Sequence, residues 1–363
     1  MKAALYTGWL GRQDATGNAV MAMHEALKHR GAESVIYCDR SSINHPDAVE
    51  INGLRTSLRE WPRWRDSDVH LFHYGASYDL FNLLPWIPRG ARRVVYFHGV
   101  TPRELVPPAD REWVDHSRRR FRLADRADLV LHATRYSREL ARSMGVNQPD
   151  YAMLPLAVDL PELPRPMRSN DGIFRLLHVG RLVANKGLLQ ILKALQQLKA
   201  QGFATWNLEV VHNPLSANAD YESHVRAFIQ AADLTGHVRF TGPPASREEL
   251  AHVYGAADLT VLATRHETYC LPLLESLHCG TPVVACAAGA VPETADGRAL
   301  LVPPDDTGAL AEAILRARMA FPLVACDGFS NMDPLAFHQS CRELLADRSP
   351  EEFGNRLWEL LVN

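Results

Sequence analysis

The sequence predicts an α/β protein built from two doubly wound parallel-sheet units, and three observations lead there. Short β-branched or apolar runs alternate with longer helical patterns from end to end, the pattern of parallel strands covered by helices on both faces. At 363 residues and 47% hydrophobic content, the chain exceeds one core, since single domains stop growing near ~250 residues. Between two alternating series lies Pro155–Gly172, with four prolines and a closing Ser-Asn-Asp-Gly, a composition that resists helix and sheet alike. The expected division is a first unit over 1–158, a linker over 159–172 and a second unit over 173–345, with 346–363 a C-terminal helix free to return to the first unit.

In the first unit the strand candidates are Ala3–Thr7, Ser34–Cys38, Val69–His73, Val94–His98, Leu129–His132 and Tyr151–Leu154, with helical patterns such as Asn18–His29 and Ser137–Met144 between them. The second series starts afresh with Phe174–Val179, Leu208–His212, Val238–Thr241, Leu259–Leu262, Val283–Cys286 and Leu300–Val302. The last segments, Leu335–Ala346 and Pro350–Leu361, read as helices. Open α/β sheets bind ligand at the carboxyl ends of their strands, so functional residues are expected in the loops that follow strands.

A formal net charge of −3 offers no basic face for nucleic acid, which is excluded as a partner. The six cysteines form no CxxC pair or metal-finger spacing and read as buried thiols in a reducing, cytoplasmic compartment. The apolar run at the N-terminus breaks at Gly8, too short for a signal peptide or a span of ~20 residues. A peripheral contact at an inner membrane face is compatible with this. Its candidate is the basic run Arg118-Arg119-Arg120-Phe121-Arg122 with Arg126, Arg135, Arg138 and Arg142, which reads more readily as a solvated helix face.

Two motifs carry chemistry. After the strand Phe174–Val179 comes Gly180-Arg181-Leu182-Val183-Ala184-Asn185-Lys186-Gly187 and then an amphipathic helix. A guanidinium and an ammonium beside a helix N-terminus make a diphosphate site, and such cations would stabilise a leaving diphosphate. Alternatively both are ordinary surface cations. The second motif, His266-Glu267-Thr268-Tyr269-Cys270-Leu271-Pro272-Leu273-Leu274-Glu275, has carboxylates eight residues apart around a helix start, with Pro272 in its first turn and Cys279-Gly280 as its stop. Glu267 and Glu275 can accept from vicinal hydroxyls, and the amides of Tyr269, Cys270 and Leu271 can meet a phosphate oxygen. A helix-capping role for Glu275 and a solvated Glu267 are the ordinary alternative.

Together, Gly180-Arg181…Lys186-Gly187, Glu267…Glu275 and Leu277-His278-Cys279-Gly280-Thr281-Pro282-Val283-Val284-Ala285 resemble glycosyltransferase family 4. The resemblance covers most of the second half, including Val238–Gly242, Ala256–Leu259 and Gly289…Glu293, and is thinner in the first. It implies the GT-B architecture of two Rossmann-like domains facing across a cleft, and metal-independent, retaining transfer from a UDP- or GDP-linked sugar, with no cofactor. It implies that Arg181 and Lys186 hold the diphosphate, Glu275 the ribose, Glu267 the transferred sugar, and backbone near Phe240–Gly242 the base. In the first half, Val94-Val95-Tyr96-Phe97-His98-Gly99 resembles the strand that delivers a catalytic histidine, His98. The loop Gly8–Gly17 resembles the glycine-rich loop against the phosphates, with Gly17 its best-anchored position. Thr268-Tyr269-Cys270 stands where relatives often carry Gly-aromatic-Gly, and Leu156-Ala157-Val158-Asp159 where many carry Asn-Gly before the linker Asp.

The acceptor, a glycan, lipid-linked or small-molecule hydroxyl, is expected near His73, Tyr74 and Arg103, which follow first-unit strands, although core packing explains His73 as well. Histidines end or follow five strand patterns, at His73, His98, His132, His178 and His212, without an HxH, HxxxH or acidic partner, so no metal is expected there. The rivals to a transferase are a sugar-nucleotide epimerase or hydrolase on the same fold and a non-catalytic nucleotide-sugar binder.

Overall fold

A computed structural model describes residues 1–11, 15–51, 54–163, 171–214, 217–320 and 323–362. The chain divides into two compact units, Met1–Ala157 with Arg348–Asn363, and Val158–Asp347. Half of the expected linker, residues 164–170, lies outside the described residues.

The first unit runs β1 (Lys2–Leu10), α1 (Ala15–His29), β2 (Glu33–Ser41), β3 (Ala48–Glu50), α2 (Leu54–Arg65), β4 (Val69–Tyr74), β5 (Arg92–Phe97), α3 (Arg111–Arg120), β6 (Leu129–His132), α4 (Arg135–Ser143) and β7 (Tyr151–Met153). Its seven strands are all parallel, in the order β3-β2-β1-β4-β5-β6-β7. All six residues of β4 are buried, as expected of a strand covered on both faces, which reads as a continuous apolar run rather than an alternation. Under the sheet, Phe72, Phe81, Phe97 and Phe121 share one aromatic core with Tyr74. The helices carry local start signals: Thr134 and Ser137 form a reciprocal capping box at α4. Gly8 and the two residues after it extend β1 rather than forming a loop. A Cβ on Gly8 would come within 2.6 Å of the Tyr78 Cβ, so its lack of a side chain serves packing. Gly17 lies buried in the first turn of α1, and residues 12–14 of the expected loop lie outside the described residues.

The second unit continues with β8 (Phe174–Val179), α5 (Leu188–Ala200), β9 (Trp206–Val211), α6 (Ala219–Ala231), β10 (Val238–Thr241), α7 (Arg247–Ala256), β11 (Leu259–Leu262), α8 (Leu271–His278), β12 (Val283–Cys286), α9 (Val291–Ala295), β13 (Leu300–Val302), α10 (Thr307–Ala320), β14 (Val324–Cys326), β15 (Phe329–Met332) and α11 (Pro334–Leu345). Its six-stranded sheet is parallel, ordered β10-β9-β8-β11-β12-β13. β14 and β15 form a separate antiparallel pair that the helix-and-strand reading of the sequence did not anticipate. Leu188, Ile191, Leu192, Leu195 and Leu198 of α5 are buried against the sheet, the i, i+3, i+4, i+7 face visible in the sequence. The last helix, α12 (Pro350–Val362), belongs to the first unit. A Cβ on its Gly354 would sit 3.2 Å from the Ala26 Cβ of α1, and Arg356 donates to the Met153 carbonyl oxygen at 3.2 Å.

Candidate functional site

Strand order locates the site of the second unit. From β8 the sheet grows through β9 and β10 on one side and through β11, β12 and β13 on the other. The loops leaving the carboxyl ends of β8 and β11 therefore diverge at a topological switch point, where open α/β sheets open a crevice for ligand. Both chemical motifs of the sequence are those two loops.

The loop after β8 passes through a 3₁₀ turn at Ala184–Lys186 and enters α5 at Gly187, whose φ of 73° lies in the left-handed region. A Cβ there would fall 1.8 Å from the carbonyl oxygen of Ala263, so only glycine lets this loop lie against the chain after β11. Two hydrogen bonds hold it there: the Arg265 amide and the Thr264 hydroxyl both donate to the Asn185 carbonyl oxygen, at 2.8 and 3.3 Å. This brings Lys186 Nζ to 2.5 Å from Glu267 Oε1, with both side chains mostly buried. Arg181 is exposed on the same loop. Arg265 pairs twice with Asp305, at 2.8 Å each.

The loop after β11 is held from the β12 side. The Ala290 amide donates to the Glu267 carbonyl oxygen at 2.9 Å, and the Thr294 hydroxyl to that of Tyr269 at 2.6 Å. Cys270 precedes α8 with φ 72° and ψ 64° and offers no side-chain cap, so the first amides of α8 have no hydroxyl or carboxylate cap from that residue. Cys270 thus takes a left-handed conformation that favours glycine. Tyr269 and Cys270 are both buried, at 6% and 4% exposure, so the bulkier Thr268-Tyr269-Cys270 segment turns two of its side chains inward. Burial pushes the Cys270 thiol well up, which removes it as a nucleophile at neutral pH. Leu271 begins α8.

Glu275 lies one turn into α8, where the Tyr254 hydroxyl donates to its Oε2 at 2.8 Å. Tyr254, on α7, is fully buried; sequence reasoning missed it, and the one available signal was a phenol on the apolar face of a helix. Burial pushes the Glu275 carboxyl above its ordinary value, partly offset by the Tyr254 hydrogen bond. Between its ordinary and raised values the folded chain holds a proton that the unfolded chain has released, so stability falls as pH rises through that window. Glu275→Gln, which keeps the acceptor for Tyr254, is expected to raise the denaturant midpoint at pH 7.5 and to lose that advantage near pH 4.5. Equal midpoints at pH 7.5 would contradict a carboxylate held at a cost.

His178, at the end of β8, is buried, its Nδ1 3.0 Å from the Val261 carbonyl oxygen; burial lowers its pKa to about 4, so it stays neutral beside Lys186. Gly242 is exposed after β10, two strands from β8, with open space where a Cβ would project. Nothing steric requires glycine there.

In the first unit His98 follows β5, and its Nε2 lies 2.9 Å from His73 Nδ1 with the two rings stacked. Burial lowers His98 to about 3 and His73 well below its ordinary value, so both imidazoles are neutral at pH 7. His73 and Tyr74 do not reach the surface as an acceptor site would require. They are 1% and 0% exposed, and the Tyr74 hydroxyl donates to the Ser117 carbonyl oxygen at 2.6 Å, because all of β4 is covered on both faces. Arg103 is exposed and pairs with Asp115 at 2.8 Å. No helix among the described residues is long and apolar enough to cross a membrane.

Residues 173–319 match the family model for glycosyl transferases group 1. The chain is 36% identical over 138 residues to a D-inositol 3-phosphate glycosyltransferase of Mycobacteroides abscessus, a match covering 37% of this chain and 31% of that protein. With the enzyme of the same name from Kineococcus radiotolerans it shares 31% identity over 221 residues, 55% of this chain and 50% of the relative. The chain thus spans about a third to a half of these relatives. The structure of Anabaena HepE in complex with UDP-glucose matches over 99% of both chains with a TM-score of 0.76 at 16% identity. The fold is therefore that of the GT-B class, two Rossmann-like parallel-sheet units. These matches bear out the resemblance read from the motifs.

Proposed function

We propose that this protein is a glycosyltransferase that moves a sugar from a UDP- or GDP-linked donor to an acceptor hydroxyl, with retention at the anomeric carbon and without a metal or other cofactor. The observation that carries the reading is the Lys186–Glu267 pair, 2.5 Å apart across the loops that leave β8 and β11. It sets a cation and a carboxylate side by side at the switch point, next to the N-terminus of α8, which is what a diphosphate bearing a polyol requires. Support also comes from the UDP-glucose of the Anabaena structure and from the glycosyltransferase names of the curated relatives.

In this reading Arg181 and Lys186 neutralise the diphosphate, the amides of Tyr269, Cys270 and Leu271 take a phosphate oxygen, and Glu275 accepts from the ribose hydroxyls. Glu267 leaves Lys186 to the diphosphate and accepts from the sugar. Backbone at Gly242 meets the base. The bond from the anomeric carbon to the β-phosphate oxygen breaks, the acceptor oxygen bonds to that carbon, and the acceptor proton passes to a leaving phosphate oxygen. Arg181 and Lys186 stabilise the charge that develops. For the first unit the proposal rests on His98, a neutral imidazole able to hydrogen-bond a sugar hydroxyl, oriented by His73. His73→Phe is expected to lower turnover about tenfold with the donor KM little changed, and equal turnover would remove His73 from the orientation of His98. Arg103 is the remaining candidate for acceptor contact, and the arginines from Arg118 to Arg142 are the proposed contact with a membrane surface in a cytoplasmic setting.

The test is a thermal-shift panel of UDP, GDP and ADP species, followed by mass spectrometry of products with the stabilising donor and a set of acceptor alcohols. A glycosylated acceptor is expected. Donor consumption without acceptor would indicate an epimerase or hydrolase, binding without turnover a non-catalytic binder, and silence across the panel would contradict the reading.

A further inference from the structure

A second cluster lies in the first unit, apart from every residue used above. His24 and Glu25 fall in the last two turns of α1, and His45 and Asp47 in the segment between β2 and β3. One nitrogen each of His24 and His45 and an oxygen of Glu25 all lie within 4.8 Å of one another. His45 Nε2 is 3.9 Å from Glu25 Oε1, and His24 Nε2 is 3.4 Å from Asp47 Oδ2.

His24 is the informative member. It is fully buried, yet its Nε2 makes nothing stronger than the long 3.4 Å approach to Asp47 Oδ2, although buried polar atoms are normally well satisfied. Its other ring nitrogen, Nδ1, lies 2.9 Å from the Ser34 hydroxyl. With Nδ1–H donating to Ser34, the Nε2 lone pair points at the cluster, the arrangement in which an outer hydrogen bond sets the tautomer of a ligating histidine. The two imidazoles come from different elements, and the rings meet edge to face at 5.3 Å between centroids.

We infer that His24, His45 and Glu25, with Asp47 as a further oxygen ligand, form a binding site for a transition-metal dication of the zinc class. Two imidazoles with carboxylate oxygens suit Zn²⁺, Co²⁺ or Ni²⁺, whereas Mg²⁺ and Ca²⁺ select all-oxygen sets. Lys28 already pairs with Asp47 Oδ2 at 2.5 Å, so His24, His45 and Glu25 are the primary ligands. His45 Nδ1 accepts the Asp47 amide at 3.2 Å, which puts the His45 proton on Nε2. Binding there moves that proton and gives up this bond, so the His45–Asp47 segment shifts with occupancy. The bound ion ties the segment between β2 and β3 to α1; it serves the first unit's structure and takes no part in the proposed transfer.

The test uses the full chain without a histidine tag, stripped with EDTA and titrated with Zn²⁺ by calorimetry, with Co²⁺ absorption as a second readout. One saturable Zn²⁺ per chain is expected, with a rise in Tm and with ligand-field bands on Co²⁺ addition. His45→Ala and Glu25→Gln should each weaken binding about tenfold or more, while His252→Ala, an exposed histidine on α7, should leave it unchanged. Absence of saturable uptake, or wild-type affinity in both ligand variants, would overturn the site. Glu25 is half exposed, so Glu25→Gln decides alone if His45→Ala does not fold.

Discussion

Arg181→Ala is expected to lower turnover by about 10²–10³-fold, the scale of losing one preorganised donor to a developing negative charge. The guanidinium is exposed on the loop after β8, and surface substitutions away from core, caps or networks change stability by no more than about 0.5 kcal/mol. A fall in rate therefore cannot come from a damaged fold. If the charge matters mainly in the transition state, kcat and kcat/KM fall together, whereas a rise in KM alone would mean that Arg181 only binds donor. Steady-state kinetics with the preferred donor, alongside a Tm within a degree or two of wild type, separates these outcomes. Unchanged kcat would exclude Arg181 from leaving-group stabilisation.

Gly187→Ala is expected to be the most destabilising small substitution in the second unit, by about 3–5 kcal/mol, which is the range reserved for steric and backbone-strain effects. Two costs add. At φ 73° a side chain is disfavoured by about 1–2 kcal/mol. The added Cβ would also overlap the Ala263 carbonyl, 1.8 Å away, and that neighbour is backbone that cannot swing aside. Relief would pull the loop after β8 from the chain after β11, break the bonds to the Asn185 carbonyl oxygen and part Lys186 from Glu267. Chemical denaturation should show the loss, with Gly202→Ala as a comparison, since it also has positive φ but open space around its Cβ. A Gly187→Ala midpoint equal to that of Gly202→Ala would contradict the close approach.

Much of this was legible in the sequence because parallel strands buried on both faces read as continuous apolar runs. Phe174–Val179, Val238–Thr241, Leu259–Leu262, Val283–Cys286 and Leu300–Val302 are strands with the bounds their apolar runs suggested. The start of α8 was legible from Pro272 and its end from Cys279-Gly280. Less legible was whatever depends on contact across the sheet. The Lys186–Glu267 pair joins residues 81 apart, and strand order, not local pattern, brings them together. The Tyr254 bond to Glu275 had no sequence signature beyond a phenol on a helix. His73 and Tyr74 were misplaced because a histidine and a tyrosine at a strand end read as polar, while β4 lies at the centre of its sheet and buries both. Gly8 read as loop through the resemblance of Gly8–Gly17 to a glycine-rich phosphate loop, whereas here it lies in β1 and makes room for Tyr78. The short β3 and the β14–β15 pair lack the length that periodicity needs.

The central claim is that a diphosphate is held where the loops after β8 and β11 diverge. Calorimetry comparing the preferred nucleoside diphosphate with its parent nucleoside, in wild type and in Arg181→Ala/Lys186→Gln, tests it most directly, because the ratio of the two affinities isolates the phosphate contribution. The wild type is predicted to favour the diphosphate by at least ~10²-fold, the sum of two charge-assisted hydrogen bonds of about 1.5–3 kcal/mol each. In the double variant that preference should shrink to within about tenfold, with nucleoside affinity unchanged. A double variant that keeps the full preference for the diphosphate would contradict the claim.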